Sequence, residues 1–587
     1  MQLDRLAVLS FSFIALGALA HGQATLRWRR VYNDPAHPGS ADSILASAVA
    51  SNGDVYWVGD HATFTTTGGI DLRSTLNKNS AQGALLWSVG LTPALDTRIK
   101  QVLLDPSGDV VLIGVVGVYY NYPDVIVAKF APNGTLRWQR QFGGVFNDYD
   151  TGIGSVDAAG NISIVGNFQY GSIFSELFVR VYDPLGNLLS HNGINGPAAN
   201  ADVLHAMAAL PGGDFAIAGE SANGGFVARF TSAGTLAWID VTPTPDPNWS
   251  LPFHRLAVDS SGRIAATGYR AVPGTGYVVG LLKVFDVNGA PLLTRTLGGA
   301  FGGNAHAVEF ASDDSLWFAG AARLNNQGDT DCVIEHFDTS LALLGSNTYD
   351  TQSNYDGVRR VIPGENGEAW VLAGDSQLLE CNSTAGVSWA QALTQPGAGE
   401  LLYGLQRVAP GSGAFVGTGS VDVSGSGNDY DALLERFDVT VFPHSYCTAG
   451  TSANGCSATL SASALPSASA ATACTLTVGG VDGQRAGVIF YGLAQTALPW
   501  CSTGAGASFL CVKAPTMRTG ARSSGGTSGA CDGQLTLDWN AFHAAHPYAL
   551  GAPWQAGDIV YVQGWFRDAL ACKSTAMSDA LALKLVP

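Results

Sequence analysis

Short apolar runs, each entered through a polar turn and ended by glycine, recur along the chain. They read SNGDVYWVG at 51–59, PSGDVVLIG at 106–114, AAGNISIVG at 158–166, PGGDFAIAG at 211–219, SSGRIAATG at 260–268, SDDSLWFAG at 312–320, ENGEAWVLAG at 365–374 and PGSGAFVG at 410–417. The closing glycines, Gly59, Gly114, Gly166, Gly219, Gly268, Gly320, Gly374 and Gly417, are spaced by 55, 52, 53, 49, 52, 54 and 43 residues. Runs this short are strands, and the glycine-containing turn before each makes a hairpin. A third run follows, as in DVIVAKF at 124–130, GFVARF at 225–230 and DALLERF at 431–437. After a second turn comes a fourth strand of the type TLRW or TLAW. Four strands per unit of about 50 residues, repeated without helices, predict a β-propeller over 25–440.

The fourth strand carries a tryptophan. Trp87, Trp138, Trp238 and Trp389 precede the next closing glycine by 27, 28, 30 and 28 residues, and Trp28 precedes Gly59 by 31. The chain therefore starts with an orphan fourth strand, while the eighth unit lacks one. The economical expectation is that the N-terminal strand completes the last of eight blades, leaving no open sheet edge. Seven blades is the alternative, because the seventh unit is compressed and the final spacing is 43. The tryptophans read as packing anchors between blades.

The stretch DVIVAKFAPNGTLRWQRQFGGVFNDYDTGIGSVDAAGNISIVG at 124–166 resembles the bacterial SBBP β-propeller repeat, which is related to the delta-60 repeats. The likeness extends unit by unit, with decay, over about 25–440. It implies an exported or surface scaffold and carries over no catalytic residue.

Composition and charge add a compartment and a second domain. Residues 6–20, LAVLSFSFIALGALA, form an uncharged run after Arg5 that ends in Ala18-Leu19-Ala20. The run is shorter than the about 20 residues needed to span a bilayer, and its end is a cleavage pattern. Residues 1–20 are expected to be a signal peptide, with no transmembrane segment in the mature chain and a secreted, cell-surface or periplasmic protein as the product. Residues 21–442 hold 22 basic and 40 acidic side chains. Such a chain lacks the clustered positive charge that phosphate backbones demand, so nucleic acid is excluded as a partner. Residues 443–587 are nearly neutral, with 7 basic and 6 acidic residues, and hold seven of the nine cysteines. Alternating runs such as TLTVGG, GVIFYG and DIVYVQGWF predict a small β-sandwich-like domain there. In an exported protein Cys447, Cys456, Cys501, Cys511, Cys531 and Cys572 are disulfide candidates. Closeness along the chain suggests Cys447–Cys456 and Cys501–Cys511, although sequence does not determine connectivity. The odd seventh, with Cys474 among them, leaves a thiol over. No C-x₂-C pair marks a zinc site.

Candidate chemistry falls on loops at one propeller rim. Asp148, Tyr149, Asp150, Trp249, Tyr355 and Asp356 lie between units, while Tyr119, Tyr120, Tyr122, Asp429 and Asp431 lie between second and third strands. Aromatic faces beside carboxylates suit a glycan or an extracellular protein. Clustered carboxylates would also suit Ca²⁺, though no ligand pattern supports it. The competing reading is turn chemistry, because Asp side chains bond nearby backbone. Gly374-Asp375-Ser376 resembles a hydrolase block but sits at a hairpin end, and His543 and His546 lack the glutamate of an HExxH motif. Three functions compete: a noncatalytic binding propeller, a propeller enzyme (polysaccharide lyase or hydrolase, or a quinoprotein-like dehydrogenase), and a structural envelope component. The quinoprotein lacks its vicinal cysteines, and a glycosidase needs two carboxylates about 5–10 Å apart.

Overall fold

The computed structural model describes residues 24–585 apart from 33–40, 65–69, 92–96, 118–123, 144–152, 171–173, 195–202, 222–223, 244–251, 299–300, 324–329, 352–355, 366, 375, 394–399, 410–411, 423–429, 440–441, 470–472, 502–507 and 556–557. It divides into two compact units, Ala24–Val439 and Thr440 onward.

The first unit is all-β and propeller-like, built from four-stranded antiparallel sheets. Sheets 1 to 7 follow chain order over 41–90, 97–142, 153–194, 203–243, 253–297, 303–349 and 358–392. The remaining sheet, sheet 8, holds Glu400–Arg407, Ala414–Asp422 and Tyr430–Asp438, with Thr25–Tyr32 as its fourth member. The pairing is antiparallel from Thr25↔Asp438 to Tyr32↔Ala432. The first strand of each sheet contacts the first strand of the next, and Glu400–Arg407 contacts Ala41–Val49. Gln406 Nε2 donates to the Ser47 carbonyl at 2.6 Å across that last junction.

A tryptophan on the fourth strand pins each of several sheets to the following one. The indole N–H donates to a carbonyl in the next sheet's second turn: Trp87 to Pro132, Trp138 to Pro184 and Trp238 to Val287, at 3.1–3.3 Å. The ring lies on that turn's glycine, so a Cβ on Gly186 or Gly289 would meet Trp138 or Trp238 within 2.7 Å. Where sheet 3 lacks a tryptophan, Asn192 Nδ2 donates to the Gly234 carbonyl at 3.0 Å. Trp28 repeats the contact on sheet 1, donating to Ala81 O at 2.9 Å and covering Gly83. Ion pairs of the same strand reach back into sheet 8: Arg27 to Asp438, and Arg29 to both Glu400 and Glu435.

The closing glycines have a backbone reason. In seven sheets the first strand bulges at one residue: Leu45, Lys100, His205, His254, His306, Arg359 and Tyr403. A bulge adds one residue on one strand and turns the backbone toward its neighbour. A Cβ on Gly114, Gly219, Gly268 or Gly320 would fall on the carbonyl oxygens of Arg98, Val203, Pro252 or Asn304. Register corrects two of the assignments. Ala373, not Gly374, faces Val358, and Gly419, not Gly417, faces Leu402. The turn of sheet 8, Val408 to Ala414, is two residues longer than the others, which moves the position there; in sheet 7 the turn keeps the common length and the glycine follows the closing residue Ala373.

The second unit contains a five-stranded sheet, in the order His444–Tyr446, Thr575–Lys584, Ile559–Arg567, Ala486–Gly492, Thr516–Ser523, and a three-stranded sheet of Thr459–Ala462, Thr475–Val481 and Gly533–Asp538. Val478 and Leu535 of the small sheet share one core with Tyr491, Val562 and Leu583 of the large one. The helix Trp539–Ala545, capped by the Asp538 carboxylate, adds Trp539 to that core. Two disulfides are present among the described residues, Cys447–Cys511 and Cys456–Cys531, which overturns both pairings suggested by closeness. Packing decides instead: Ser508–Val512, which bears Cys511, lies against Thr575–Lys584, the strand paired with His444–Tyr446. Tyr446 Oη donates to the Cys511 carbonyl, and the turns bearing Cys456 and Cys531 both bind Asp482, through Asn454 Nδ2 and Gly529 N. Cys474 is a buried free thiol, and the side chains of Cys501 and Cys572 lie outside the described atoms. The second bridge spans 75 residues. Replacing Cys456 and Cys531 together by alanine should cost about 4 kcal/mol in equilibrium unfolding of the full chain. Among the described residues no helix is long and apolar enough to cross a membrane.

Candidate functional site

Most of the rim candidates, Tyr119, Tyr120, Tyr122, Asp148, Tyr149, Asp150, Trp249, Tyr355 and Asp429, lie outside the described residues. The two that are described are buried, which puts them at odds with a ligand-facing rim. The Asp356 carboxylate accepts from both the backbone N–H and the hydroxyl of Thr351. Its pKa is raised by burial and by nearby Asp350 and Asp331. Asp331, Asp350 and Asp356 bring carboxylate oxygens within 4.8 Å of one another. With both Asp356 oxygens engaged by Thr351, however, the trio staples a turn and falls short of the six to eight oxygens that Ca²⁺ takes. Asp431 lies in the third strand of sheet 8, opposite Val421, and is 5% exposed. Ser376 of the Gly-Asp-Ser block is fully buried, and its hydroxyl accepts from Leu402 N at 2.8 Å. His546 stacks on Phe542 while His543 faces Trp554, so the two do not form one site.

The bulges assemble what the loops do not. Each bulged residue of sheets 4, 5, 7 and 8 meets the residue that follows the closing position on the second strand. His205 Nε2 lies 3.5 Å from Glu220 Oε1, and Tyr403 Oη bonds Ser420 Oγ at 3.0 Å. The His254 ring stands edge-on to Tyr269 with centroids 4.8 Å apart, and Arg359 Nε donates to the Gly374 carbonyl. Successive sheets also touch. His205 and His254 are 4.9 Å apart by centroid, His254 and His306 6.3 Å, and Tyr269 Oη bonds His306 Nε2 at 3.1 Å. Arg359 lies over the Tyr403 ring at 5.7 Å. Because the first strands contact one another in sequence, one structural position repeated around them gives a continuous band of imidazole, phenol and guanidinium.

A pocket opens beside this band, lined by Arg255, His306, Glu309, Arg359 and Arg360 among others. Its charges are unusual for an acidic unit. Arg255 bonds only the His254 carbonyl, and Arg360 makes no hydrogen bond or ion pair with any described residue. Enclosure, then Arg360 nearby, lowers the pKa of Arg255. Burial, with His205, His306 and Arg255 adding repulsion, brings His254 down to about 3, and burial with Arg255 and Arg359 lowers His306. Glu309 has solvent-exposed area yet is walled in by protein, the situation of a group on a water-filled channel. Enclosure raises it to about 7 against the pull of Arg360. At neutral pH His254 and His306 are thus uncharged hydrogen-bonding groups among cationic guanidiniums.

The depressed His254 has a consequence for stability. An unfolded histidine protonates near 6.5, whereas folded His254 stays neutral down to about 3. Its contribution is complete above pH 6.5 and is lost progressively as pH falls toward 3. His254→Gln is expected to melt with a shallower decline between pH 7 and 4.5 than the parent chain, as followed by thermal unfolding.

The sequence contained a signal for this site that loop chemistry concealed. In six of the seven bulged sheets the bulged residue lies 14 positions before the closing glycine first identified there, and in the seventh, at Arg359, it lies 15 before. Residue type at the position varies, so only the offset marks it.

No known family profile matches the chain, and no curated protein matches it. Among solved structures, Sqt1 of Chaetomium thermophilum aligns at 14% identity and TM-score 0.44, covering 68% of this chain and 96% of that one. The polysaccharide lyase Uly1 aligns at 8% and 0.38, covering 69% and 91%. The acylaminoacyl peptidase of Pyrococcus horikoshii aligns at 8% and 0.35, covering 66% and 58%.

Proposed function

We propose that residues 24–439 form a closed eight-bladed propeller of the SBBP type, exported behind a signal peptide, that acts as a noncatalytic binding protein through the band of bulged residues. Closure is supported by Thr25–Tyr32 taking the fourth place in sheet 8 and by Trp28 repeating the pin of Trp87, Trp138 and Trp238. Disulfides in the second unit fit an oxidising, extracytoplasmic compartment. The observation that carries the binding role is the contact of His205, His254 and His306 across three successive sheets beside Tyr269. Aromatic faces with hydrogen-bonding edges suit saccharide rings.

Binding is favoured over hydrolysis by the carboxylates. Glu309, the pocket's raised carboxyl, has Arg360 as its charged neighbour and no second carboxylate. Of the other raised carboxyls, Asp356 is buried and engaged by Thr351, and Glu435, at about 8, is 1% exposed and joined through Arg29 to Glu400, where it holds the first strand. Probing a glycan array with the mature chain and with a His254→Leu/Tyr269→Phe variant tests the reading. Selective binding that the variant loses is the expected result. Binding that survives in the variant, or none at all, contradicts it.

A further inference from the structure

We infer that the ligand of this site is an acidic saccharide, whose carboxylate is taken up by Arg255, Arg359 and Arg360. The inference rests on the binding reading above and specifies its chemistry.

The argument starts from charge. Residues 21–442 carry 18 more acidic than basic side chains, and elsewhere in this unit the described basic groups are mostly neutralised. Lys129 pairs with Asp105, Arg229 with Asp214, Arg263 with Asp259, Lys283 with Asp240 and Arg295 with Glu335. Around the pocket the pattern reverses. Three guanidiniums from the first strands of sheets 5 and 7, Phe253–Val258 and Val358–Pro363, line a common pocket across Gly303–Phe310 of sheet 6, and none makes an ion pair with a described residue. Their mutual repulsion costs stability, and among the described residues only neutral partners offset it, the His254 carbonyl for Arg255 and the Gly374 carbonyl and Tyr403 ring for Arg359. Glu309, the one carboxyl lining this pocket among the described residues, is itself raised to about 7, so at neutral pH it is only partly ionised and offsets at most one of the three positive charges. A bound carboxylate would relieve that repulsion and gain charge-assisted bonds in the bidentate geometry that guanidinium favours.

The neighbours narrow the class. A bare inorganic anion needs only the cations. Here the cations adjoin the rings of His254, Tyr269, His306 and Tyr403, which offer flat apolar faces beside polar edges. A sugar ring presents the matching combination, apolar faces and hydroxyls, and a uronic acid adds the carboxylate. An acidic peptide would use the cations but leave the ring faces and the imidazole edges without a role.

The test is calorimetric titration of the mature chain with oligogalacturonate. The comparison arms are neutral galactan of equal length, galacturonate monomer, sodium sulfate and polyglutamate. Saturable binding of the uronate oligomer, weakened about tenfold or more in Arg360→Gln and in Arg255→Gln, is expected. The exposed tail substitution Arg518→Gln should leave it unchanged. Because Arg360 makes no hydrogen bond or ion pair with a described residue, Arg360→Gln should also melt no lower than the parent, which separates lost binding from lost folding. Monomer binding as tight as the oligomer assigns a free sugar acid; oligomer binding alone assigns a polymer, and both support the inference. Neutral galactan bound equally well, and insensitive to Arg360→Gln but abolished in the His254→Leu/Tyr269→Phe variant, would overturn the acidic class while leaving the binding site standing. Preference for sulfate or polyglutamate would also overturn it. Failure of every saccharide would remove both.

Discussion

A mature chain lacking residues 24–32 should unfold at least about 10 °C below the intact one. Thr25–Tyr32 supplies seven register pairs to Tyr430–Asp438, and the ion pairs of Arg27 and Arg29. It also supplies Trp28, which is 9% exposed and packs with Ile44, Val55, Trp57 and Leu434. Truncating a buried tryptophan alone costs about 3–5 kcal/mol. Deletion adds an open edge on Tyr430–Asp438 and strips sheet 1 of the contact at Gly83. With large domains losing roughly 2–4 °C per kcal/mol, the shift follows, and tryptophan-fluorescence melting measures it. An unchanged midpoint would mean the strand is an ornament on an already stable sheet.

The second large effect is expected at Gly219. Its added side chain would collide with the Val203 carbonyl, a backbone atom held in the sheet, so relief requires moving the strand rather than rotating a side chain. Gly219→Val should cost about 3 kcal/mol and disturb the bulge that presents His205 to His254. Gly193 has no heavy atom within 4 Å of its would-be Cβ, so Gly193→Ala is the matched control, expected to change stability by less than about 0.5 kcal/mol. Chemical denaturation of both variants makes the comparison. Equal effects would show that the closing glycines are not required by the bulges.

Much of the sheet architecture was legible because strand patterning is local. The runs ending at Gly114, Gly219, Gly268 and Gly320 report a collision of a would-be Cβ with a backbone carbonyl, and that constraint leaves its mark in those repeats, while sheet 7 carries Ala373 at the position. Gly417 misled by two positions because a longer turn alters a count without altering a register, and Gly374 by one because the closing position of its sheet holds Ala373. The site was less legible for the opposite reason. Position 14 before the glycine holds leucine, lysine, histidine, arginine or tyrosine, because the bulge constrains the backbone there and leaves the side chain free for function. Loop carboxylates drew attention by type, yet Asp356 and Asp431 are buried. The disulfides could not be read from spacing, since Cys447 and Cys511 meet where Ser508–Val512 packs against Thr575–Lys584, the strand paired with His444–Tyr446.

The account depends on the chain's first strand sealing the circuit of sheets against its last. Cysteines placed at Thr25 and Asp438, which are register partners, test this in the otherwise intact protein by peptide mapping without reductant. The account predicts a 25–438 cross-link within one chain and a higher melting temperature on oxidation, while a Thr25→Cys/Tyr430→Cys pair eight residues out of register stays open. Thiols that remain free at 25 and 438, or that link only between chains, would contradict it.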